Sequence, residues 1–170
     1  GIIYIGTGIG ICGIINGKVL RGASGNAGDI GHVVVESGPS APKCECGSSG
    51  CVTVTASPSA LLARARAAGL DLPAGPTSDA LPELFALEAQ GDPVAEEIVH
   101  SAVRGVRKLG HVVADMFDAD RLILGGPFAS LYSGAFWGEG PEATSGSGPI
   151  AQGVHPLDVE QSPFGGDICA

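Results

Sequence analysis

Residues 28–51 read GDIGHVVVESGPSAPKCECGSSGC, and their spacing demands a specific chemistry more strongly than any other stretch of the chain. His32 precedes a cluster of three cysteines, Cys44, Cys46 and Cys51, which is punctuated by glycines. An imidazole and three thiolates are a ligand set that zinc takes in tetrahedral sites. Because protein would fill all four positions, none is left for a reacting water. The stretch therefore predicts a structural zinc that fastens a loop.

Disulfides or free thiols are the alternatives to zinc for these cysteines. Three clustered cysteines leave one without a partner, and Cys44 and Cys46 are too close in sequence to bridge each other easily. We therefore favour zinc.

The composition indicates one globular domain with its own core. The chain has 170 residues, of which 44% are hydrophobic, and nine basic against eighteen acidic residues give a net charge of −9. Such a charge repels phosphate backbones and argues against direct contact with nucleic acid. The sequence contains no apolar run of transmembrane length and no leader peptide at its start, so we expect no membrane contact. Five cysteines suit a reducing compartment, from which we infer the cytoplasm.

The first residues predict a strand, a glycine turn and a hairpin. The apolar run Ile2 to Ile5 leads into Gly6-Thr7-Gly8-Ile9-Gly10, and a second strand is expected over 9–15. Asn16-Gly17 is a preferred pair for a type I′ hairpin, which would return over 18–21. The chain lacks an initiating Met and begins directly on this apolar strand, so we expect a fragment of a longer protein, incomplete at both ends.

The glycine turn has two interpretations. Glycines 8, 10 and 13 spell G-x-G-x-x-G, but a dinucleotide fingerprint opens a helix and these glycines open a strand, so we reject it. The turn is then either a phosphate clamp, using backbone N–H groups of Gly6, Gly8 and Gly10 with the Thr7 hydroxyl, or an ordinary tight turn.

Later segments alternate between helix and strand, which is typical of an α/β layer. We expect a short strand over 33–35, a helix that Ser57 caps and that ends near Gly69, and a second helix that Asp79 caps and that runs through Gln90. A long third helix should follow Asp92 and end near Asp118. A strand over 121–124, a flexible loop over 133–153 and a last strand around Val159 complete the prediction.

The long helix has an apolar arc wider than one packing face requires. Its main stripe is flanked by Ala95, Val99, Val103 and Val112. This surplus predicts either a contact with another copy of the chain, and thus a homo-oligomer, or burial within the α/β layer itself.

Taken in order, these motifs resemble the ROK family, named for its repressors, open reading frames and sugar kinases. The resemblance is carried by the following segments: Gly6-Thr7-Gly8-Ile9-Gly10, Asn16-Gly17, Gly28-Asp29-Ile30-Gly31-His32, the Cys44 to Cys51 cluster and Leu124-Gly125-Gly126. It implies an α/β fold, namely one ribonuclease H-like domain of the actin/hexokinase-type two-domain fold, with a zinc-bound loop. Residues 1–170 would form a single domain, the second of the two.

The family resemblance also implies roles for individual residues. Asp29 and His32 would contact sugar hydroxyls, glycines 6, 8 and 10 with Thr7 would hold nucleotide phosphates, and Gly125 and Gly126 would lie under adenosine. Family kinases usually carry Glu at the position of Asp29 and again at that of Thr53. The Asp-x-Gly phosphate motif and the Asn-Asp pair with the catalytic base normally precede this segment, so we expect no catalytic residue in this chain.

Three functions follow from the resemblance. The first is the effector-binding and oligomerisation domain of a sugar-responsive transcriptional regulator, whose DNA contact would lie in a missing N-terminal domain. The second is the C-terminal part of an ATP-dependent, glucokinase-like hexose kinase, and only in that case would ATP be a ligand. The third is a zinc-stabilised interaction domain without a ligand.

Overall fold

The computed structural model describes residues 1–119, 121–138 and 158–163. Its elements in chain order are β1 (Ile2–Ile5), β2 (Ile9–Cys12), β3 (Ile14–Ile15), β4 (Lys18–Val19), α1 (Val52–Thr55), α2 (Pro58–Ala67), α3 (Thr77–Ala89), α4 (Pro93–Phe117), β5 (Arg121–Gly125), α5 (Ala129–Gly138) and β6 (Asp158–Gln161). The order of helices and strands confirms the α/β prediction.

A mixed four-stranded sheet, in the order β2-β1-β5-β6, forms one layer. β1 pairs antiparallel with β2 and parallel with β5, and β5 pairs parallel with β6. Ile3 and Ile5 of β1 are buried, as expected for a central strand. β6 includes Val159 and thus confirms the last predicted strand.

The predicted second strand is interrupted at Gly13. Residues 9–12 belong to the main sheet, whereas β3 pairs only with β4 in a separate two-stranded sheet. Asn16 and Gly17 have φ angles of 51° and 72°, which confirms the type I′ hairpin prediction. The hairpin therefore projects from the sheet, and its Ile14, Ile15 and Val19 are about half exposed.

Two of the three helix caps were predicted correctly. The Ser57 side chain accepts a hydrogen bond from the Ala60 N–H at 3.3 Å, and the Asp92 side chain accepts from two backbone N–H groups at 2.9 Å. Asp79 does not cap α3, because the helix already starts at Thr77, directly after Pro76, and Asp79 lies within its first turn. There its charge still favours the positive end of the helix dipole.

The predicted strand over 33–35 is wrong. Val34 makes only an isolated bridge to Cys51, and the Val35 N–H donates to the carbonyl of Gly50. Because the backbone groups of this segment form hydrogen bonds with the cysteine loop and with Val52, the segment joins no sheet. The short α1 that follows Cys51 was not predicted from the sequence.

α4 contacts both the sheet and the other helices. A Cβ atom at Gly110 would lie 3.2 Å from Leu122 of β5, and α2 and α3 also contact α4. Ala95, Val99 and Val103 are at most 2% exposed within the chain, so burial inside the layer accounts for most of the wide apolar arc. The oligomer prediction therefore loses that support.

α5 extends through Gly138, so the loop prediction is wrong for residues 133–138, and residues 139–153 lie outside the described part of the chain. The helix is anchored by Tyr132, whose buried hydroxyl donates to the carbonyl of Ala56 at 2.7 Å. Burial raises the pKa of this phenol, which keeps it a neutral donor. No helix within residues 1–119 and 121–138 combines the length and apolar character required to cross a bilayer.

Candidate functional site

The four predicted zinc ligands converge. His32 Nδ1 lies 3.5 Å from Cys44 Sγ, Cys46 Sγ lies 3.6 Å from Cys51 Sγ, and all four ligand atoms lie within 4.8 Å of one another. Zinc bonds of about 2.3 Å to sulfur and about 2.0 Å to nitrogen, in a tetrahedron, place two sulfurs roughly 3.8 Å apart and a nitrogen roughly 3.5 Å from sulfur. The residues therefore fit zinc. A disulfide between Cys46 and Cys51 is absent, because its sulfurs would lie about 2.05 Å apart.

The loop that carries the cysteines closes through Gly50. Its φ of +71° belongs to the left-handed region, and a Cβ atom there would lie 2.0 Å from the carbonyl oxygen of Glu36. The Gly50 N–H donates to the carbonyl of Pro42 at 2.7 Å, and its own carbonyl accepts from Val35 and Glu36. Only glycine permits this approach, which brings Cys51 back beside the start of the loop.

Protonation differs among the clustered thiols. A backbone hydrogen bond at Ser48, with hydrogen bonds from the thiols of Cys44 and Cys51, lowers the pKa of Cys46 to about 6. Burial, with the neighbouring thiols, raises the pKa of Cys51 to about 12. Without a cation, Cys46 is thus a thiolate and Cys51 a protonated thiol at neutral pH. A zinc ion at its centre would favour the deprotonated form of every ligand thiol.

Glu36 ties the loop to the core, a role that sequence reasoning missed. The Ser101 hydroxyl of α4 donates to Glu36 Oε2 at 3.1 Å, across 65 positions of sequence. A lone Glu in a loop and a Ser on a helix offer no pattern that could reveal such a pair.

The predicted sugar residues lie beside the metal ligands, on a segment locked to β2. Gly28 has a φ of +99°, and a Cβ atom there would lie 2.0 Å from the carbonyl oxygen of Ile11. The Ile11 N–H in turn donates to the Gly28 carbonyl at 3.1 Å. The next residue, Asp29, is exposed, and its carboxylate accepts from the Asn26 side chain at 3.2 Å.

Asp29 and Thr53 flank Gly31. A Cβ atom at Gly31 would lie 3.8 Å from Asp29 Oδ1 and 3.7 Å from Thr53 Cβ. His32 follows directly and turns Nδ1 toward Cys44, so Nε2 is the ring nitrogen left for other partners. The structure therefore brings Asp29, His32 and Thr53 to one exposed edge of the cysteine loop.

The two predicted nucleotide motifs meet at one edge of the sheet. β1 and β5 are parallel neighbours, so the turn after β1 and the glycine pair that ends β5 lie side by side. Gly126 approaches β1 closely: its φ is +100°, and a Cβ atom there would lie 2.5 Å from the Ile5 carbonyl oxygen. Ligands of α/β proteins commonly bind at such carboxyl ends of strands.

Within the turn, the four predicted phosphate contacts are not equivalent. Thr7 and Gly8 are exposed, whereas Gly6 is buried and its N–H already donates to the Gly8 carbonyl at 3.0 Å. Gly10 is half-buried in β2, opposite Tyr4. The exposed half of the turn is thus the part available to a phosphate.

The sequence and fold of this chain are similar to those of known proteins. Residues 2–131 match the model of the ROK family. The chain is 34% identical over 129 residues to the N-acetylmannosamine kinase of Escherichia fergusonii, and the match covers 73% of this chain and 40% of that protein. The chain thus spans about two fifths of the length of the curated relatives it matches.

Two solved structures share the fold. A ROK family glucokinase from Streptomyces griseus, in complex with glucose and AMPPNP, is 29% identical with a TM-score of 0.62, and the match covers 98% of this chain and 56% of that one. A ROK family transcriptional regulator, a homologue of the Escherichia coli MLC protein, has a TM-score of 0.70 at 24% identity, over 94% of this chain and 40% of that one. The second likeness concerns the fold alone.

Proposed function

Since this chain belongs to the ROK family, we propose that it is the second domain of an ATP-dependent sugar kinase, with an actin-like ribonuclease H-type core and a structural zinc. The observation that carries this proposal is the edge formed by the ends of parallel β1 and β5. It exposes the Thr7–Gly8 turn beside Gly126, which are the positions where the family resemblance implies contacts with the phosphates and adenosine of a nucleotide.

The sugar and phosphate elements are also close enough to serve one cleft. Gly28, directly before Asp29, is hydrogen-bonded to Ile11 of β2, just after the turn between β1 and β2. Phosphoryl transfer depends on such juxtaposition, because its catalysis is almost entirely positioning and charge stabilisation. Curated relatives that are N-acetylmannosamine kinases support the same assignment.

A sugar-responsive regulator is the second candidate, and Thr53 is the observation that favours it. Thr53 flanks Asp29 at the proposed sugar edge, where the family resemblance predicts Glu. Because threonine lacks a charged acceptor, it forms a weaker hydrogen bond with a sugar hydroxyl than glutamate would, so sugar binding here should be weaker or differently selective. Any DNA contact would then involve a segment outside these residues, because the chain carries a net charge of −9.

Zinc has a structural role in either proposal. His32, Cys44, Cys46 and Cys51 would hold it, and the metal would supply a fixed crosslink across the loop. Cysteines kept as thiols for zinc suit a reducing compartment, so we propose a cytoplasmic setting. A homo-oligomer remains part of the proposal, resting now on the exposed apolar residues of the β3–β4 hairpin.

The test is an ATP-dependent phosphorylation assay of the full-length protein with glucose and N-acetylmannosamine. We expect turnover by the full-length protein and none by the isolated 170 residues, since phosphoryl transfer needs a positioned base and the family resemblance places the Asn-Asp pair that carries it before this segment. A full-length protein that binds sugar and zinc but neither binds nor turns over ATP would favour the regulator. Sugar phosphorylation by the isolated chain would contradict the proposal that the catalytic base lies outside these residues.

A further inference from the structure

Two serines at the start of α2 lie between two proposed ligand elements. One is the sugar edge, formed by Asp29, His32 and Thr53, and the other is the phosphate turn, formed by Thr7 and Gly8. Ser57 Oγ donates to the carbonyl of Thr53 at 2.5 Å, and Ser59 Oγ donates to the carbonyl of Thr7 at 3.1 Å. The two hydroxyl oxygens lie 3.2 Å apart. Ser57 is buried, and Ser59 is exposed.

Only one of the two serine hydroxyls has two possible acceptors for its proton. Each hydroxyl has one proton. The short contact assigns the Ser57 proton to the Thr53 carbonyl, so Ser57 Oγ acts as an acceptor towards the Ala60 N–H and towards Ser59. The Ser59 proton then has two acceptors at nearly equal distance, Ser57 Oγ and the Thr7 carbonyl. The Ser59 hydroxyl can thus donate either to Ser57, which contacts Thr53 of the sugar edge, or to Thr7 of the phosphate turn.

The phosphate turn depends on Ser59 for its attachment to the helix. The Thr7 carbonyl accepts from both the backbone N–H of Ser59, at 3.4 Å, and its hydroxyl. The neighbouring Gly8 gives little packing support, because no other atom of the described residues lies within 4 Å of the position a Cβ would take. Hydrogen bonds, rather than side-chain packing, therefore hold this part of the turn.

The other end of the connection reaches the sugar residues. The Thr53 N–H donates to the carbonyl of Gly31 at 3.0 Å, and Gly31 lies between Asp29 and His32. If a bound sugar displaces the Asp29–His32 segment, Thr53 should therefore move with it. Ser57, which donates to Thr53, would then shift relative to the Ser59 hydroxyl.

We propose that Ser59 is a positioning residue that couples sugar binding to the order of the Thr7–Gly8 phosphate turn. This proposal rests on the function proposed above, because it requires one protein to bind both a sugar and a nucleotide. Ser59 acts through the Thr7 carbonyl and need not contact either ligand. Sugar and nucleotide should therefore bind with positive coupling, and the coupling should be reciprocal.

The test is calorimetric titration of the full-length protein with AMPPNP, in the absence and in the presence of saturating glucose or N-acetylmannosamine. For Ser59→Ala, we expect the AMPPNP Kd to rise about threefold to tenfold, as for the loss of one hydrogen bond. The sugar Kd measured without nucleotide should stay within about twofold of wild type, because Ser57 still holds Thr53. The ratio of AMPPNP affinities with and without sugar should fall towards one.

Two control variants separate this effect from a general loss of structure. Ser59→Thr keeps the hydroxyl and should restore both the AMPPNP affinity and its dependence on sugar. Ser78→Ala removes an exposed serine hydroxyl that donates to its neighbour Asp79 in the first turn of α3, away from Thr7 and Thr53, and should behave as wild type.

Each outcome decides something different. If wild type binds AMPPNP and Ser59→Ala binds it equally well with the same sugar dependence, the inference is wrong while the proposed kinase function stands. Equal weakening of sugar and nucleotide in Ser59→Ala would show a merely structural role and overturn the inference. If zinc-loaded wild type binds sugar but no AMPPNP, the kinase proposal fails and the coupling fails with it.

Discussion

Replacing Gly50 with alanine should disrupt the metal centre without removing any ligand. A Cβ atom there would lie 2.0 Å from the Glu36 carbonyl oxygen, whereas real Cβ contacts are essentially never shorter than 3.0 Å. The obstacle is backbone, so a side-chain rotation cannot relieve it. Residues 36 and 50 must separate by about 1 Å, and Cys51 must move with its neighbour.

The cost has two parts. Alanine in the left-handed region costs about 1 to 2 kcal/mol. The displacement also weakens three backbone hydrogen bonds, from Gly50 to Pro42 at 2.7 Å and from Val35 and Glu36 to Gly50 at 2.8 and 3.1 Å. At about 0.5 to 1.5 kcal/mol each, their complete loss would bring the total cost in stability to roughly 2.5 to 6.5 kcal/mol.

Gly47→Ala is the matched control for this experiment. Gly47 lies in the same loop with a φ of +91°, but among the described residues no atom lies within 4 Å of the position its Cβ would take. This variant should lose only the backbone component, about 1 to 2 kcal/mol. Gly50→Ala should therefore bind zinc at least about tenfold more weakly than Gly47→Ala, since each 1.4 kcal/mol is a factor of ten.

The assay is zinc competition against a chromophoric chelator, with thermal unfolding of the zinc-loaded chain as a second measurement. We expect the order wild type, Gly47→Ala, Gly50→Ala in both zinc affinity and Tm. Equal zinc affinities and equal Tm values for the two variants would refute the reasoning, because the loop would then not depend on the close approach at residue 50.

Three further predictions concern individual side chains. In the metal-free chain, iodoacetamide labelling of Cys46 should rise as pH increases through about 6, where its thiolate forms, while Cys51 stays protonated and unlabelled at neutral pH; peptide mass spectrometry measures both, and equal labelling would contradict the assigned pKa directions. Tyr132→Phe leaves a buried carbonyl without its donor, which should cost about 1 to 2 kcal/mol and lower the Tm by roughly 2 to 8 °C, so an unchanged Tm would remove the anchoring role. In titrations of the full-length protein with hexoses, Asp29→Ala should weaken sugar binding. His32→Cys should retain zinc but bind sugar more weakly, because it removes the Nε2 donor to a sugar hydroxyl. Undiminished sugar binding by zinc-loaded His32→Cys would show that the histidine is a structural ligand only.

Local backbone features of this fold were predictable because their causes lie within a few residues. The Asn16-Gly17 hairpin follows from two positions with positive φ, and the starts of α2 and α4 follow from Ser57 and Asp92. The helix cap expected from Asp79 was wrong for a similar local reason, since Pro76 already sets the start of α3.

Segments whose partners are distant were predicted poorly. Three consecutive valines at 33–35 have strong β propensity, yet the Val35 N–H donates to Gly50 and the Val33 carbonyl accepts from Val52, so no sheet forms there. The wide apolar arc of α4 predicted either a second chain or internal burial, and only the packing against α2, α3 and the sheet favoured the latter.

By itself, the sequence determined the chemistry of the site: one imidazole and three thiols at zinc-binding spacing, a glycine turn after a strand, and a carboxylate next to the metal segment. Ligand preference and turn geometry are properties of residue types at short separation, so they can be read from the sequence. Only the tertiary structure decided how these pieces meet. The parallel pairing of β1 with β5 brings Gly126 beside the Thr7 turn across about 120 positions of sequence, and the serines of α2 bridge that turn to Thr53. Such contacts depend on the burial of α4 and the register of the sheet, which are decided by the packing of the whole domain.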